Sequence, residues 1–186
     1  SVFSPIMSTP SSAMASSTWL APTFPDEHAA PALTAIPARS SLMTRVSACL
    51  PGTATSVVFR HDGFVDKFVG DAIIGIFGAL GEQPDDTRRA VQCALAMQKK
   101  LCELQAKWRA QHAPVFNSRI AVNTGEVIMG NVGSPQRMDF TAIGEPVNTA
   151  SRLQAVANAG SVVICTACYE EVKGFTDVRD LGAITL

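Results

Sequence analysis

Asn148 and Arg152 stand four residues apart in the run EPVNTASRL, so a helix there puts both on one face. Arginine offers five donors in a planar fork suited to phosphate oxygens, and asparagine offers a neutral amide beside it. Upstream, the stretch FVDKFVGDAIIGIF from Phe64 to Phe77 carries Lys67 midway along one apolar arm and Asp71 at the bend between two arms. Between these segments lies a glycine-rich stretch, where Gly130, Gly133 and Gly144 allow close backbone approach. Together these residues supply what phosphoryl chemistry requires. There is a carboxylate for Mg²⁺, cationic charge for phosphate, and polar groups to grip a base.

Each residue alone has a plainer explanation. Aspartate favours tight bends because its side chain bonds nearby backbone amides. In a strictly alternating arm Lys67 shares its face with Val65 and Val69, so its ammonium needs an acceptor or water; a lysine snorkelling from a sheet edge meets that need. An Asn–Arg pair at this spacing on its own reads as a solvated helix face. It is the combination that points to a site.

The elements that must hold these residues are regular from Val57 onward. A turn at Asp62-Gly63 leads into two β-rich arms about Gly70-Asp71, which reads as a hairpin. The run from Asp85 to His112 has acids at its start and Ala90, Ala94, Met97, Leu101, Leu104 and Trp108 at helical spacing, which predicts a helix with one buried stripe. SRIAVNTGEVIMGNVG predicts two strands joined around Thr124-Gly125, and MDFTAIG a further one. Pro146 suits the first turn of the next helix, where a missing amide hydrogen is harmless. SVVIC reads as a strand, TACYEEVKGF as a helix and GAITL as a last strand. Strands and helices alternating with hairpins predict an α+β fold with a mainly antiparallel sheet under helices.

The motifs VDKFVGDAIIGIFG, RIAVNTGEVIMGNVGS and RMDFTAIGEPVNTASRL, in that order, resemble the catalytic domain of the class III nucleotidyl cyclases, the adenylate and guanylate cyclases. The resemblance runs from near Val57 to the end of the chain. It implies a ferredoxin-like α/β sandwich in which two domains pair head to tail with active sites at their interface. It also implies an adenylate cyclase that converts ATP to 3′,5′-cyclic AMP and pyrophosphate with two Mg²⁺ or Mn²⁺ ions per site. By motif, Asp71 resembles the second of two metal-binding aspartates. Lys67 resembles the residue that reads the purine ring, and Thr141 the partner of the adenine amino group. Asn148 resembles the asparagine that orients the ribose, Arg152 the arginine on the α-phosphate, and Arg119 one that touches the terminal phosphates. The metal aspartates would come from one copy and the base-reading, Asn and Arg group from the other, so Lys67 and Asp71 would share a hairpin yet serve two sites. A homodimer partner and fused sensor or regulatory domains in a longer protein follow from the same resemblance. The alternative is a degenerate cyclase-like module that dimerises or binds nucleotide without catalysis.

Residues 1–56 depart from that pattern. Ala, Ser, Thr and Pro dominate them and no period persists, so the segment reads as poorly ordered or as a corrupted, frameshifted start of the domain. Within it, Ser41 to Leu50 is the one stretch suited to a short helix, which Pro51-Gly52 would end. The family's first metal aspartate, in a Phe-x-Asp-Ile run, has no match; Asp26 is the remaining candidate ligand. The domain proper is then 57–186. It stops before the family's last hairpin, while the start on serine suggests a piece of a longer chain.

Composition bounds the rest. The 186 residues are 47% hydrophobic and 17% charged with a net charge of −1. That balance gives no reason to expect nucleic acid as a partner. No run approaches the roughly eighteen apolar residues of a membrane span. Five cysteines without a framework spacing fit a reducing, cytoplasmic setting. Cys165 and Cys168 form a CxxC, for which core packing is preferred over zinc or redox chemistry.

Overall fold

The computed structural model describes residues 5–6, 36–45, 51–79, 81, 83–134 and 136–184. In chain order the elements are β1 (Pro5–Ile6), β2 (Ile36–Arg45), α1 (Pro51–Arg60), β3 (Phe64–Val69), β4 (Ala72–Phe77), α2 (Asp86–Ala110), β5 (Arg119–Ser134), β6 (Arg137–Ile143), α3 (Glu145–Val156), β7 (Val162–Cys165) and α4 (Thr166–Val172). Seven strands form one sheet in the order β1-β7-β5-β2-β4-β3, with β6 paired to β5 outside that path. The pairings are antiparallel except where β7 meets β1 and β5. The expected α+β sandwich is therefore present.

Helices cover both faces. On one, α1, α2 and α4 pack Val57, Val58, Ala90, Ala94, Met97, Cys168 and Val172 against Ile73, Phe77, Ile120 and Val122. On the other, α3 and β6 bring Ala150 and Ala142 onto Ala72, Ile74, Ile76, Val127 and Met129. β4 is buried on both sides, which is why AIIGIF is a continuous apolar run rather than an alternating one. The stripe along α2 is buried at Ala90, Ala94, Met97 and Leu101 as its spacing requires. Trp108 at its far end meets Phe116 edge to face, with ring centroids 5.7 Å apart.

Four local expectations are corrected. Ser41 to Arg45 belongs to a strand, not a helix, and Pro51-Gly52 opens α1 instead of ending one. The reason is tertiary: β2 lies between β4 and β5, whose open ladders on both sides offer its backbone groups partners. Second, Arg119–Ser134 is one strand and not two. It pairs with β2 from Arg119 to Met129, with β7 from Ile120 to Val122 and with β6 from Ile128 to Ser134. Only a bulge, where Gly125 and Glu126 oppose a single β2 residue, marks the expected break. Third, β3 does not alternate strictly, as described below. Fourth, residues 181–184 form no strand.

The bend in β5 is a packing requirement. A Cβ on Gly125 would lie 2.5 Å from Pro146 Cγ in the first turn of α3. Gly125→Ala is expected to push that helix outward and to cost about 1–3 kcal/mol, typical of overpacking. Urea denaturation of the variant against the wild type measures it.

Candidate functional site

The β3–β4 hairpin turns at Gly70-Asp71, with Gly70 in the left-handed region at φ 61° that glycine enters freely. Its two arms do not run in step. Val65 pairs with Gly75 but Lys67 pairs with Ile74, so Asp66 is the extra residue of a β-bulge. Directly paired residues share a face, which puts Lys67 with Ile74 on the α3 side while Val65 packs into the α1–α2 core. Without the bulge, Lys67 would follow Val65 under the helices. The alternation read from sequence is overturned here, because one inserted residue moves every later side chain across the sheet.

Asp66 itself points inward. Its side chain is 0% exposed, and Oδ2 accepts a hydrogen bond from the Thr141 hydroxyl of β6 at 3.0 Å. Lys67 Nζ lies 3.7 Å from the same oxygen, with its side chain 43% exposed. Lys67 and Thr141 thus converge on one carboxylate although they lie far apart in sequence. An edge-to-face contact between Phe64 and Phe140, centroids 5.9 Å apart, holds β6 over β3 next to them. Sequence reasoning missed Asp66. The available signal was the Asp-Lys pair itself, since strict alternation would drive one of two adjacent charges into the core.

Asp71 and Arg119 meet at another end of the sheet. Arg45 of β2 pairs with Ala72 on one side and Arg119 on the other, so one row of residues aligns the hairpin turn with the start of β5. Asp71, Asn117, Arg119 and Ala159 line a hollow of ≈ 350 Å³ there. The carboxylate and the guanidinium sharing that hollow suit a cation and phosphate oxygens respectively. The central strand β2, Ile36–Arg45, contains no Asp or Glu. Asp26 lies outside the described residues.

α3 is anchored from within. Asn123 Nδ2 donates to Pro146 O at 3.0 Å, and Gln154 Nε2 donates to Arg119 O at 3.4 Å. Ala150 and Leu153 turn inward, which leaves Asn148 and Arg152 exposed on the opposite face as the i,i+4 spacing demands. A wider hollow of ≈ 750 Å³ beside α3 is bounded, among the described residues, by Glu126, Glu145, Asn123 and Thr149.

The CxxC closes β7 and opens α4. Cys165 Sγ accepts from the Cys168 amide and lies 3.3 Å from the Cys168 thiol. Cys168 sits wholly buried in the helix-side core, as packing requires. Among the described residues no three His, Cys, Asp or Glu side chains gather as a metal cluster. Hydrogen bonding from the Cys168 thiol, aided by the amides of Cys168, Thr124 and Ala167, brings the Cys165 thiol down to about 6 against the effect of burial. Burial drives Cys168 upward and Cys93 to about 12. Alkylation by iodoacetamide should therefore show Cys165 rising with a midpoint near pH 6, because the thiolate forms above its pKa, while Cys93 and Cys168 stay protected at pH 7. Mass mapping across pH checks this.

No helix among the described residues is long and apolar enough to cross a membrane. Residues 59–185 match the family described as the adenylate and guanylate cyclase catalytic domain. Adenylate cyclase 1 of Rhizobium meliloti (strain 1021) is 32% identical over 130 residues, which cover 69% of this chain and 20% of that protein. The chain thus spans about a fifth of that relative's length. In structure, the adenylyl cyclase CyaB from P. aeruginosa superposes with a TM-score of 0.74 at 29% identity, covering 81% of this chain and 87% of the other. The guanylyl cyclase Cya2 superposes with a TM-score of 0.65 at 28% identity, covering 72% and 77%. Motif order, fold and sequence agree: the chain belongs to the adenylate and guanylate cyclase catalytic-domain family.

Proposed function

We propose that this chain is an adenylate cyclase domain acting as a homodimer on ATP, with weak activity in its present form. The observation that carries the reading is the convergence of Lys67 and Thr141 on one buried carboxylate, which gathers donors and acceptors of the kind that grip a purine. In this reading Lys67 donates to the ring and Thr141 meets the 6-amino group. Asn148 orients the ribose, Arg152 faces the α-phosphate and Arg119 the terminal phosphates. The 3′-hydroxyl oxygen bonds to the α-phosphorus as its proton passes to water, the bond to the bridging oxygen breaks, and pyrophosphate leaves with that electron pair. Arg152 and Arg119 balance charge on the phosphoryl oxygens as it shifts, and positioning carries most of the rate.

The dimer is proposed on the layout of these groups. Asp71 and Arg119 share one hollow, whereas Asn148 and Arg152 look outward from α3. Exposed Phe68, Val69, Met138 and Phe140 lie on the two strands that carry Lys67 and Thr141, an apolar surface of the sort that a second copy covers. Attached regulatory domains belong to the same reading, the match covering 20% of Adenylate cyclase 1 of Rhizobium meliloti, and so does a cytoplasmic setting.

The residues present fit one divalent ion, Mg²⁺ or Mn²⁺, held by Asp71 and substrate phosphates, since Mg²⁺ often uses a single carboxylate. Such an ion would supply screening of phosphate charge. Among the described residues β2 offers no second carboxylate, so no step is assigned to a second ion. We infer further that residues 1–56 are a corrupted start of the domain and 57–186 its retained part; a one-base shift of the encoding DNA that restores a Phe-x-Asp-Ile run would support this.

Purified chain supplied with ATP or GTP and with Mn²⁺ or Mg²⁺ should form cyclic AMP slowly and favour ATP. A preference for GTP would make the base assignment wrong. The missing β2 carboxylate favours a second reading, a non-catalytic nucleotide-binding or dimerisation module. Saturable nucleotide binding with no cyclic product would select it.

A further inference from the structure

We propose that Asp66 is the positioning residue that makes the Lys67–Thr141 pair select a 6-amino over a 6-oxo purine; the inference rests on the reading that Lys67 and Thr141 face the base. A threonine hydroxyl has one hydrogen and two lone pairs. In this structure the hydrogen is committed to Asp66 Oδ2 at 3.0 Å, with the Thr141 residue 6% exposed and the carboxylate side chain 0% exposed. What Thr141 can still present to a ligand is therefore lone pairs alone. Adenine carries an amino donor at position 6 where guanine carries a carbonyl acceptor. The first is accepted, and the second meets lone pair against lone pair.

A second observation points the same way. Asp66 Oδ1 is buried and has no hydrogen-bond partner among the described residues. A buried carboxylate short of partners is costly, so the one hydroxyl it does hold is kept firmly, and the Thr141 hydrogen stays on Asp66. Lys67 Nζ, at 3.7 Å from Oδ2, stands beyond a normal hydrogen bond, so its three donors are not consumed by Asp66 and serve ring nitrogens. The bulge keeps Asp66 near Thr141 while carrying Lys67, the next residue, to the side of Ile74, so both adjacent charges reach one place. Asp66 acts through Thr141 and need not touch the nucleotide.

The test measures binding of 3′-deoxy-ATP and 3′-deoxy-GTP with Mn²⁺, nucleotides that cannot cyclise, by calorimetry on the whole chain. Asp66→Ala frees the Thr141 hydroxyl to donate, so the ATP-over-GTP affinity ratio should fall about tenfold or more, as expected when a site's hydrogen-bond polarity is lost. Asp66→Asn keeps an acceptor for the hydroxyl and should hold most of the ratio, which a loss of packing alone would not distinguish by side chain polarity. Thr141→Val should lower the ratio by itself, and adding Asp66→Ala should then change nothing further. A ratio unchanged by Asp66→Ala, with both nucleotides still bound, overturns the proposal and leaves the base-pocket reading standing. Binding of neither nucleotide by the wild type overturns both. The wild type also gives a check that needs no variant. A 6-unsubstituted purine nucleotide should bind between the two, and a 6-oxo nucleotide binding as tightly as the unsubstituted one reveals a donating hydroxyl and overturns the assignment.

Discussion

Mixed one to one, Asp71→Asn and Arg152→Ala chains are expected to make cyclic AMP that neither makes alone. Asp71 borders the hollow with Arg119, while Arg152 is exposed on the outer face of α3. If a site takes the first pair from one copy and α3 from the other, each variant spoils both sites of its own dimer. Losing a charge that stabilises the phosphoryl oxygens costs about a hundredfold or more in rate. Removing the sole carboxylate proposed for the ion should cost at least as much. Half the dimers in the mixture are hybrids, and each has one site with both halves intact, so about a quarter of the wild-type rate should return under twofold symmetry. A mixture no more active than its components, from chains shown to exchange, would mean that both groups serve one site within one copy. Adding excess Asp71→Asn chain carrying Arg152→Ala as well should rescue nothing, which controls for simple stabilisation.

Arg89→Ala is expected to be the most destabilising change of a charged residue in the described fold. Arg89 bonds the buried Asp86 carboxylate one turn before it on α2, reaches Asp85 at 3.2 Å and Asp62 at 3.6 Å, and donates to His61 O at 3.4 Å. It therefore ties the start of α2 to the turn that launches β3. Asp86 Oδ2 also accepts from the Gln83 amide at 2.8 Å, which would remain. Removing Arg89 leaves the Asp86 carboxylate buried at 2% exposure without its cation, a loss of about 3–5 kcal/mol by analogy with broken buried pairs. The midpoint of urea unfolding should fall with little change in slope. Asp86→Asn with Arg89→Met should recover much of the loss, because an uncharged pair carries no such penalty. Equal stability of Arg89→Ala and wild type would show the cluster to be solvated. Because the Asp62 turn feeds the hairpin, nucleotide affinity should weaken with stability in Arg89→Ala and return with the double change.

How far the sequence carried is clear from individual elements. The hairpin at Gly70-Asp71, the α2 stripe and the start of α3 at Pro146 were all legible, since each rests on local chemistry: a left-handed turn, a 3.6-residue period, a missing amide hydrogen. The i,i+4 placement of Asn148 and Arg152 followed from the same period. The helix reading of Ser41 to Leu50 failed where no local signal opposed it. Two neighbouring strands with unmet backbone groups outweigh a weak propensity, and nothing within the segment announces them. Gly125 reads as a turn that would divide β5, whereas its lack of a side chain makes room for Pro146.

The residue types alone determined that a helix would display an amide and a guanidinium together, and that a tight bend would carry a carboxylate, because both depend on spacing of a few residues. Only the tertiary structure decided that Lys67 crosses to the α3 side and that Thr141 finds Asp66, 75 positions away. A one-residue bulge and a strand folding back over its neighbour are set by pairing energies summed across the sheet, and such sums leave no mark in a short window of sequence.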